Sequence, residues 1–424
     1  MKTTGLSLDQ APPIIIPFKF FLTASLFSVI VGIVLMIEAE AVFLSRWSPL
    51  ALGITHLMTV GFLAQVMTGA MIQLLLPVLA GSPIPAVTTV SRIIYLSLFA
   101  GALLMGLGFI HSHQSVLVSG AGLVLFAIIL FLLAMAVSLV SSKSRHDNAI
   151  PIGLGWMAVI PAVAIGAYMV LGLSGMLTIN DMPVLIAVHL SWGLLGWVGI
   201  VLFATIFQII PIFYITGEMP VKIRDISFII VFVLLALFSL SQYIDSELLA
   251  YSLPMVVALF LLLSLALFQM IWKRRRKIVD MTLVFLWTGL ICLALAAMVW
   301  MLGDNELLVG VLLLGGVCIT IPIGIIYKVI PFLCWFHLQS LLVKQGKLSS
   351  RLPSMKHYIN EVDAKRHFLL HLAAIALTAA ATLMPATLGR TSGIALSLSS
   401  LYFLKNLLFA LLRFNKQQRA LLDG

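Results

Sequence analysis

The feature that most constrains this chain is a succession of apolar stretches, each long enough to cross a bilayer and separated by short polar gaps. A helix crosses the hydrocarbon core with about 20 apolar residues. Read on that basis, the 424 residues give spans near 18–39, 49–79, 89–110, 114–140, 153–175, 183–215, 223–242, 247–271, 279–302, 306–337, 366–384 and 390–412. Lipid offers no partner to a bare backbone amide, so such segments must be helical. Composition agrees, with 62% hydrophobic and only 9% charged residues, against about 25% charged in soluble domains. The expectation is an all-α polytopic membrane protein of about twelve helices. It forms a single transmembrane domain over 1–424 and has the lipid bilayer as its first partner. The second, sixth and tenth apolar stretches are the longest, and are expected to tilt or to project beyond the core.

The basic residues set the direction. One side collects 21 of the 25 Lys and Arg, including the run Lys273–Lys277 and the loop at 340–365. The other side holds Arg46 and Arg390 beside acids such as Glu40, Asp181 and Glu306, while Lys328 and Lys405 lie within spans. This bias puts both termini in the cytoplasm of a bacterial inner membrane, with 340–365 as a cytoplasmic loop. The net charge of +10 is therefore an orientation signal. It forms no interleaved basic and aromatic surface of the kind a nucleic-acid site needs. The first apolar run is too long for a signal h-region and reads as a span. Cys292, Cys318 and Cys334 form no CxxC pair and read as small buried hydrophobes.

The long stretches resemble one another. The second carries His56, Gly61, Gln73 and Pro77; the sixth carries His189, Gly196, Gln208 and Pro211; the tenth carries Gly316, Lys328 and Pro331. From glycine to proline the separations are 16, 15 and 15 residues, and each proline follows a polar residue by three or four positions. The pattern predicts three parallel repeats of four helices, about 1–140, 150–271 and 279–413. Glycine lets a helix or a flat ligand approach the backbone, and the late proline kinks or ends the helix.

With these motifs the chain resembles subunit I of the haem-copper oxidase superfamily, which includes the large subunit of nitric oxide reductases. The likeness rests on Thr55-His56 with the stretch from Leu76-Pro77 to Gly81-Ser82-Pro83, on His189 to Pro211, and on Tyr327-Lys328 to Pro331. The resemblance implies the subunit I bundle, and implies that His56 stands where the low-spin haem ligand would be. It also implies polar helices that bring protons inward. The chain departs from the family pattern in ways that bear on activity. The seventh span has no histidine, and the tenth has none before His337. A three-histidine copper site is therefore not expected, and neither is dioxygen reduction.

His56 and His189 both lie about two turns into their spans. A titratable ring there is costly unless partnered, and imidazole is the usual protein ligand of haem iron. One or both are candidates to hold a haem, b-type by preference, with Gly61 and Gly196 giving close approach; the alternative is a neutral ring bonded to a helix carbonyl. Tyr327 and Lys328 are candidates for a polar path, with snorkelling of Lys328 to the interface as the other reading. His367 and His371, one turn apart, have a spacing that can hold a metal but no acidic pair beside them. His337 reads as a cap at the end of its span, while His111, His113, His146 and His357 read as solvated.

No nucleotide loop, nucleophile elbow or HExxH motif occurs, and the chain does not read as an enzyme in its own right. Three functions stay open. The first is a haem-binding accessory in respiration, electron transfer or nitric oxide metabolism, partnered by respiratory or electron-transfer proteins. The second is a cofactor-free transporter or membrane assembly factor on the same fold. The third is an oxidase or nitric oxide reductase with unusual ligands, which the missing histidines disfavour.

Overall fold

Apolar side chains repeated without interruption leave the backbone one way to satisfy itself, by hydrogen bonds within each segment. The computed structural model describes residues 12–75, 84–140, 149–244, 246–303, 305–346 and 352–423. Within them lie α1 (Ile15–Phe43), α2 (Pro49–Gln73), α3 (Val87–Ile110), α4 (Gln114–Val140), α5 (Ala149–Leu173) and α6 (Met182–Tyr214). The rest are α7 (Val221–Ser241), α8 (Leu248–Trp272), α9 (Met281–Leu302), α10 (Glu306–Lys344), α11 (Glu361–Ala381) and α12 (Pro385–Asp423). No strand occurs among the described residues. Eleven of these helices are long and apolar enough to cross a membrane. The remaining one, α11, opens on Glu361, Asp363, Lys365 and Arg366 and becomes apolar only after them. The chain is thus an all-helical, multi-pass membrane protein.

Polar caps set several helix starts. Ser48 accepts from the Ala51 amide ahead of Pro49, Asp280 from Leu283, Asn305 from Leu308 and Asn360 from Asp363. Gly303, at φ 76°, turns the chain out of α9. Because caps and backbone bonds end a helix, and loss of apolarity does not, α10 and α12 run well past their apolar windows. Each is 39 residues long. Of the second long stretch, expected at 49–79, α2 covers 25 described residues; Pro77 and Gly81 lie outside the described residues, as does His146. His337 does not end α10. It sits inside the helix, its Nδ1 bonded to the Leu333 carbonyl at 2.9 Å and its Nε2 to the Pro12 carbonyl at 3.0 Å.

A π-helical stretch interrupts each of three helices: Leu57–Ala64 in α2, Ser191–Gly199 in α6 and Leu312–Ile319 in α10. They carry Gly61, Gly196 and Gly316. Such wide turns are uncommon and often mark functional positions.

The chain divides into two compact units, one of residues 1–144 with 280–424 and one of residues 145–279. In the first, α1 and α12 run antiparallel with their backbones close together. Ser400 donates to Ser28 at 2.8 Å, and a Cβ at Gly32 would meet the Ser397 amide nitrogen at 2.7 Å. Gly389 lies against Ala39. This small-residue seam lets helices meet where lipid supplies no hydrophobic drive. It also places the start of α1 and the end of α12 at one end of this unit, called here the terminal end. In the second unit, Gly155 of α5 packs on Val201 of α6, Trp156 on Trp197 with ring centroids 5.7 Å apart, and Trp192 Nε1 donates to Ser239 of α7 at 2.8 Å.

Candidate functional site

The two histidines singled out by the sequence lie in different units. His56 belongs to the first. Its Nδ1 bonds the Leu52 carbonyl one turn back at 2.8 Å, and its ring stacks on Phe109 at 4.8 Å. His189 belongs to the second. Its Nδ1 bonds the Ala162 carbonyl of α5 at 2.7 Å, and the ring lies over Gly166, where a Cβ would come within 3.0 Å of Cε1. A ring held at Nδ1 by a carbonyl carries its proton there, the tautomer in which Nε2 can meet a metal. The glycines fit a haem less well. A Cβ at Gly61 would sit 2.5 Å from the Phe27 ring, so an aromatic of the protein fills the space a flat ligand would use. At Gly196 the corresponding space is bounded by Ala158 at 3.0 Å and Leu235 at 3.1 Å.

Tyr327 and Lys328 are neighbours in sequence but part in space. Lys328 Nζ reaches the Asp280 carboxylate at 2.5 Å, and that carboxylate also caps α9. Lys328 therefore neutralises a charge near the terminal end of α9 instead of simply snorkelling. Tyr327 turns into the packed interior among α10, α11 and α12.

There the structure assembles the largest buried polar network among the described residues. His367 and His371 share one face of α11, both buried, with Asp363 one further turn back. Facing them on α12 are Ser399, Tyr402 and Asn406, also spaced by three and four residues. Asn406 Nδ2 donates to Tyr327 Oη at 2.8 Å, and Tyr327 Oη lies 2.8 Å from His367 Nδ1. His367 Nε2 is 3.2 Å from Ser399 Oγ, which is 3.5 Å from His371 Nδ1. His371 Nε2 is 2.8 Å from Thr320 Oγ1, and Thr320 donates to the Gly315 carbonyl at 2.8 Å.

These ends fix every proton between them. Thr320 has one hydroxyl hydrogen and gives it to Gly315, so His371 must donate to Thr320 from Nε2. With the rings neutral, His371 Nδ1 then accepts from Ser399, and Ser399 accepts from His367 Nε2. His367 Nδ1 accepts from Tyr327, whose oxygen takes the Asn406 amide hydrogen. The result is one directed chain from an amide that can only donate to a carbonyl that can only accept. The carbonyl belongs to the π-helical stretch of α10, where the wider winding brings residue i−5 within reach of the Thr320 hydroxyl. From Tyr327 to Gly315 the chain covers twelve residues of α10, roughly 18 Å at helical rise.

No protein-family model and no curated protein matches this chain.

At the terminal end of the network stands Asp363. Its Oδ1 accepts from Tyr402 at 2.8 Å and Lys405 at 3.2 Å, and its Oδ2 from Asn360 at 2.8 Å. It precedes the apolar part of α11. Burial alone would raise its carboxyl, but the bonds from Tyr402 and Lys405, the Lys405 charge and the Asn360 bond outweigh it and hold the group below the ordinary carboxylate range. Lys405 also lies over the Tyr402 ring at 4.0 Å. Among the described residues no three His, Cys, Asp or Glu side chains gather as a metal site. His367 and His371 spend their ring nitrogens on hydroxyls.

Sequence reasoning marked Tyr327 as part of a polar path, and the histidine pair by its spacing. It missed Asp363, Ser399, Asn406 and Thr320. The available signal was a stripe at 363, 367 and 371 on one helix and at 399, 402 and 406 on the next.

Proposed function

We propose that this chain is a proton-relaying membrane protein of the transporter class, in which the chain from Tyr327 through His367, Ser399 and His371 to Thr320 carries a proton. The directed hydrogen-bond chain is the observation that supports this reading. Each member accepts on one side and donates on the other, as stepwise transfer requires. Tyr327 takes a proton from water on its oxygen and passes its own to His367 Nδ1; His367 releases the Nε2 proton to Ser399; Ser399 passes its own to His371 Nδ1; and His371 releases the Nε2 proton to Thr320, whose own hydroxyl proton leaves the Gly315 carbonyl for water on the far side. The resting orientation favours movement away from the terminal end. Afterwards each imidazole holds its proton on Nδ1, and the hydroxyls must turn before the next transfer.

The test is proton flux into liposomes holding the purified full chain and a trapped pH dye. Tyr327→Phe keeps the ring and removes the hydroxyl, and it is expected to cut flux by tenfold or more, about the effect of losing one required transfer step. Flux equal to that of empty liposomes, or an undiminished Tyr327→Phe variant, would overturn the reading.

A second reading, haem binding by His56 or His189 in respiration or electron transfer, is favoured by one observation. Both Nδ1 atoms are tied to backbone carbonyls, which sets the tautomer that a haem-ligating imidazole needs. Bound haem would supply a redox centre, and whichever of the two rings holds it would orient it. Protein made with ample haem would show a Soret band that weakens in His56→Ala or His189→Ala; absence of the band sinks this reading alone.

A further inference from the structure

At the end of the first unit away from the termini, the close packing of α1, α2 and α3 opens into a groove of about 260 Å³. That is several times the ~30 Å³ share of one water in the liquid, and an apolar lining does not hold water. The walls are aliphatic: Ile30 and Val34 from α1, Leu50 and Leu57 from α2, Leu103 and Leu107 from α3. No Phe, Tyr or Trp is among its lining residues, so its shape suits a flexible chain better than a flat ring. At its edge stand two polar side chains, Glu38 and His111, both exposed.

Backbone geometry accounts for the opening. Helix α1 breaks its regular winding at Glu38, with φ −119° and ψ 28°, and α3 ends at Ile110 with His111 as the residue past its last turn. The break carries the end of α1 off the line of the helix. Beside the groove the same helices close tightly, with Gly106 against Leu57 and Gly53 against Ile110. With Glu38 and His111 in its lining, the groove reaches the end of the helices, at the level where a helix leaves the hydrocarbon.

We propose that this groove binds one bilayer aminophospholipid, with part of an acyl chain between α1, α2 and α3 and the headgroup at Glu38 and His111. The charges support this occupant over other lipids. A carboxylate attracts a primary ammonium and repels an anionic headgroup, and Glu40 close by adds to the negative field. The imidazole donor reaches toward the phosphate that such a headgroup carries next to its ammonium. Phosphatidylglycerol offers the phosphate without the cation, and so lacks the partner that Glu38 calls for. The inference stands apart from the proton relay, which lies in α10, α11 and α12.

The experiment is native mass spectrometry of the full chain, released from micelles containing equal amounts of phosphatidylethanolamine and phosphatidylglycerol with matched acyl chains. The unmodified protein is expected to retain one phosphatidylethanolamine in preference by roughly fivefold, the scale of one partly exposed ion pair. Glu38→Gln should bring the two lipids to equal retention. Leu103→Trp, which fills the groove, should lower retention of both. Equal retention by the unmodified protein, or an unchanged preference in Glu38→Gln, overturns the proposal. Should Leu103→Trp fail to fold, Glu38→Gln still decides, because the exposed Glu38 side chain can be replaced without disturbing the core.

Discussion

Asp363 shows how one side chain can tie the candidate site to pH. Its carboxylate takes three side-chain donors, and they outweigh the cost of partial burial, so its protonation is displaced downward. The sign follows directly. A carboxyl depressed in the folded state stabilises the fold above its unfolded value, about 3.9 for Asp, and that contribution fades as pH falls through the lower folded value. Thermal unfolding of the purified chain should therefore lose ground as pH falls below about 3.9, the ordinary Asp value. Asp363→Asn should be less stable at pH 7 and should lose less on acidification. A variant that tracks the unmodified protein across the whole range would remove Asp363 from this role. At this scale the sequence was informative about chemistry and silent about pairing. Tyr327 is identifiable from one chain because a phenol among apolar residues needs a partner. Ser399 is not, because a serine inside a membrane helix can bond its own preceding turn, as Ser25 does with the Phe21 carbonyl.

Helices were legible where apolarity alone decides them, and less so where packing and caps decide. The spans expected at 89–110 and 114–140 coincide with α3 and α4 within two residues. The ends of α10 and α12 were not foreseen, because a backbone ladder continues through Lys344 and past Arg413 once lipid no longer matters. Nor does apolarity reveal which helices touch. The seam of α1 and α12 depends on Gly32 and Gly393, which are 361 positions apart. A Cβ at 393 would collide with the Met36 amide nitrogen and approach the Gly32 carbonyl at 2.7 Å. Backbone cannot yield as a flexible side chain can. Gly393→Leu should therefore cost more than the ~1–3 kcal/mol of ordinary overpacking, read as loss of monodisperse protein on size exclusion in mild detergent. Gly122→Leu, on α4 with open space about its Cα, is the control and should behave as the parent. Equal behaviour of the two variants would show that the seam tolerates separation.

The whole molecule poses a question of connectivity. Residues 1–144 and 280–424 form one compact unit although 135 residues separate them in sequence (279 − 144 = 135). The contacts that join the two pieces are specific: Ser28 with Ser400, Gly32 with Ser397, and the Pro12 carbonyl with His337. The expected three-repeat plan, with a middle repeat near 150–271, describes a chain built by duplication, and it remains a proposal alongside the subunit I resemblance that followed from it. Each of the glycines used to align the repeats lies in a π-helical stretch, and a fourth such stretch, Met71–Leu75, has no counterpart among them. What the contacts require is independent of that history: the first four helices and the last four must recognise each other without help from chain continuity. Protease sites introduced after Ser144 and after Val279 should thus yield three fragments, of which 1–144 and 280–424 stay together through affinity purification in mild detergent. Gly393→Leu in the cleaved protein should release 280–424 from 1–144, since it strikes the seam that joins them. If the uncut parent is well behaved and its cleaved halves separate at once, helix contacts are not what holds this unit together, and the α1–α12 seam is a consequence of tethering.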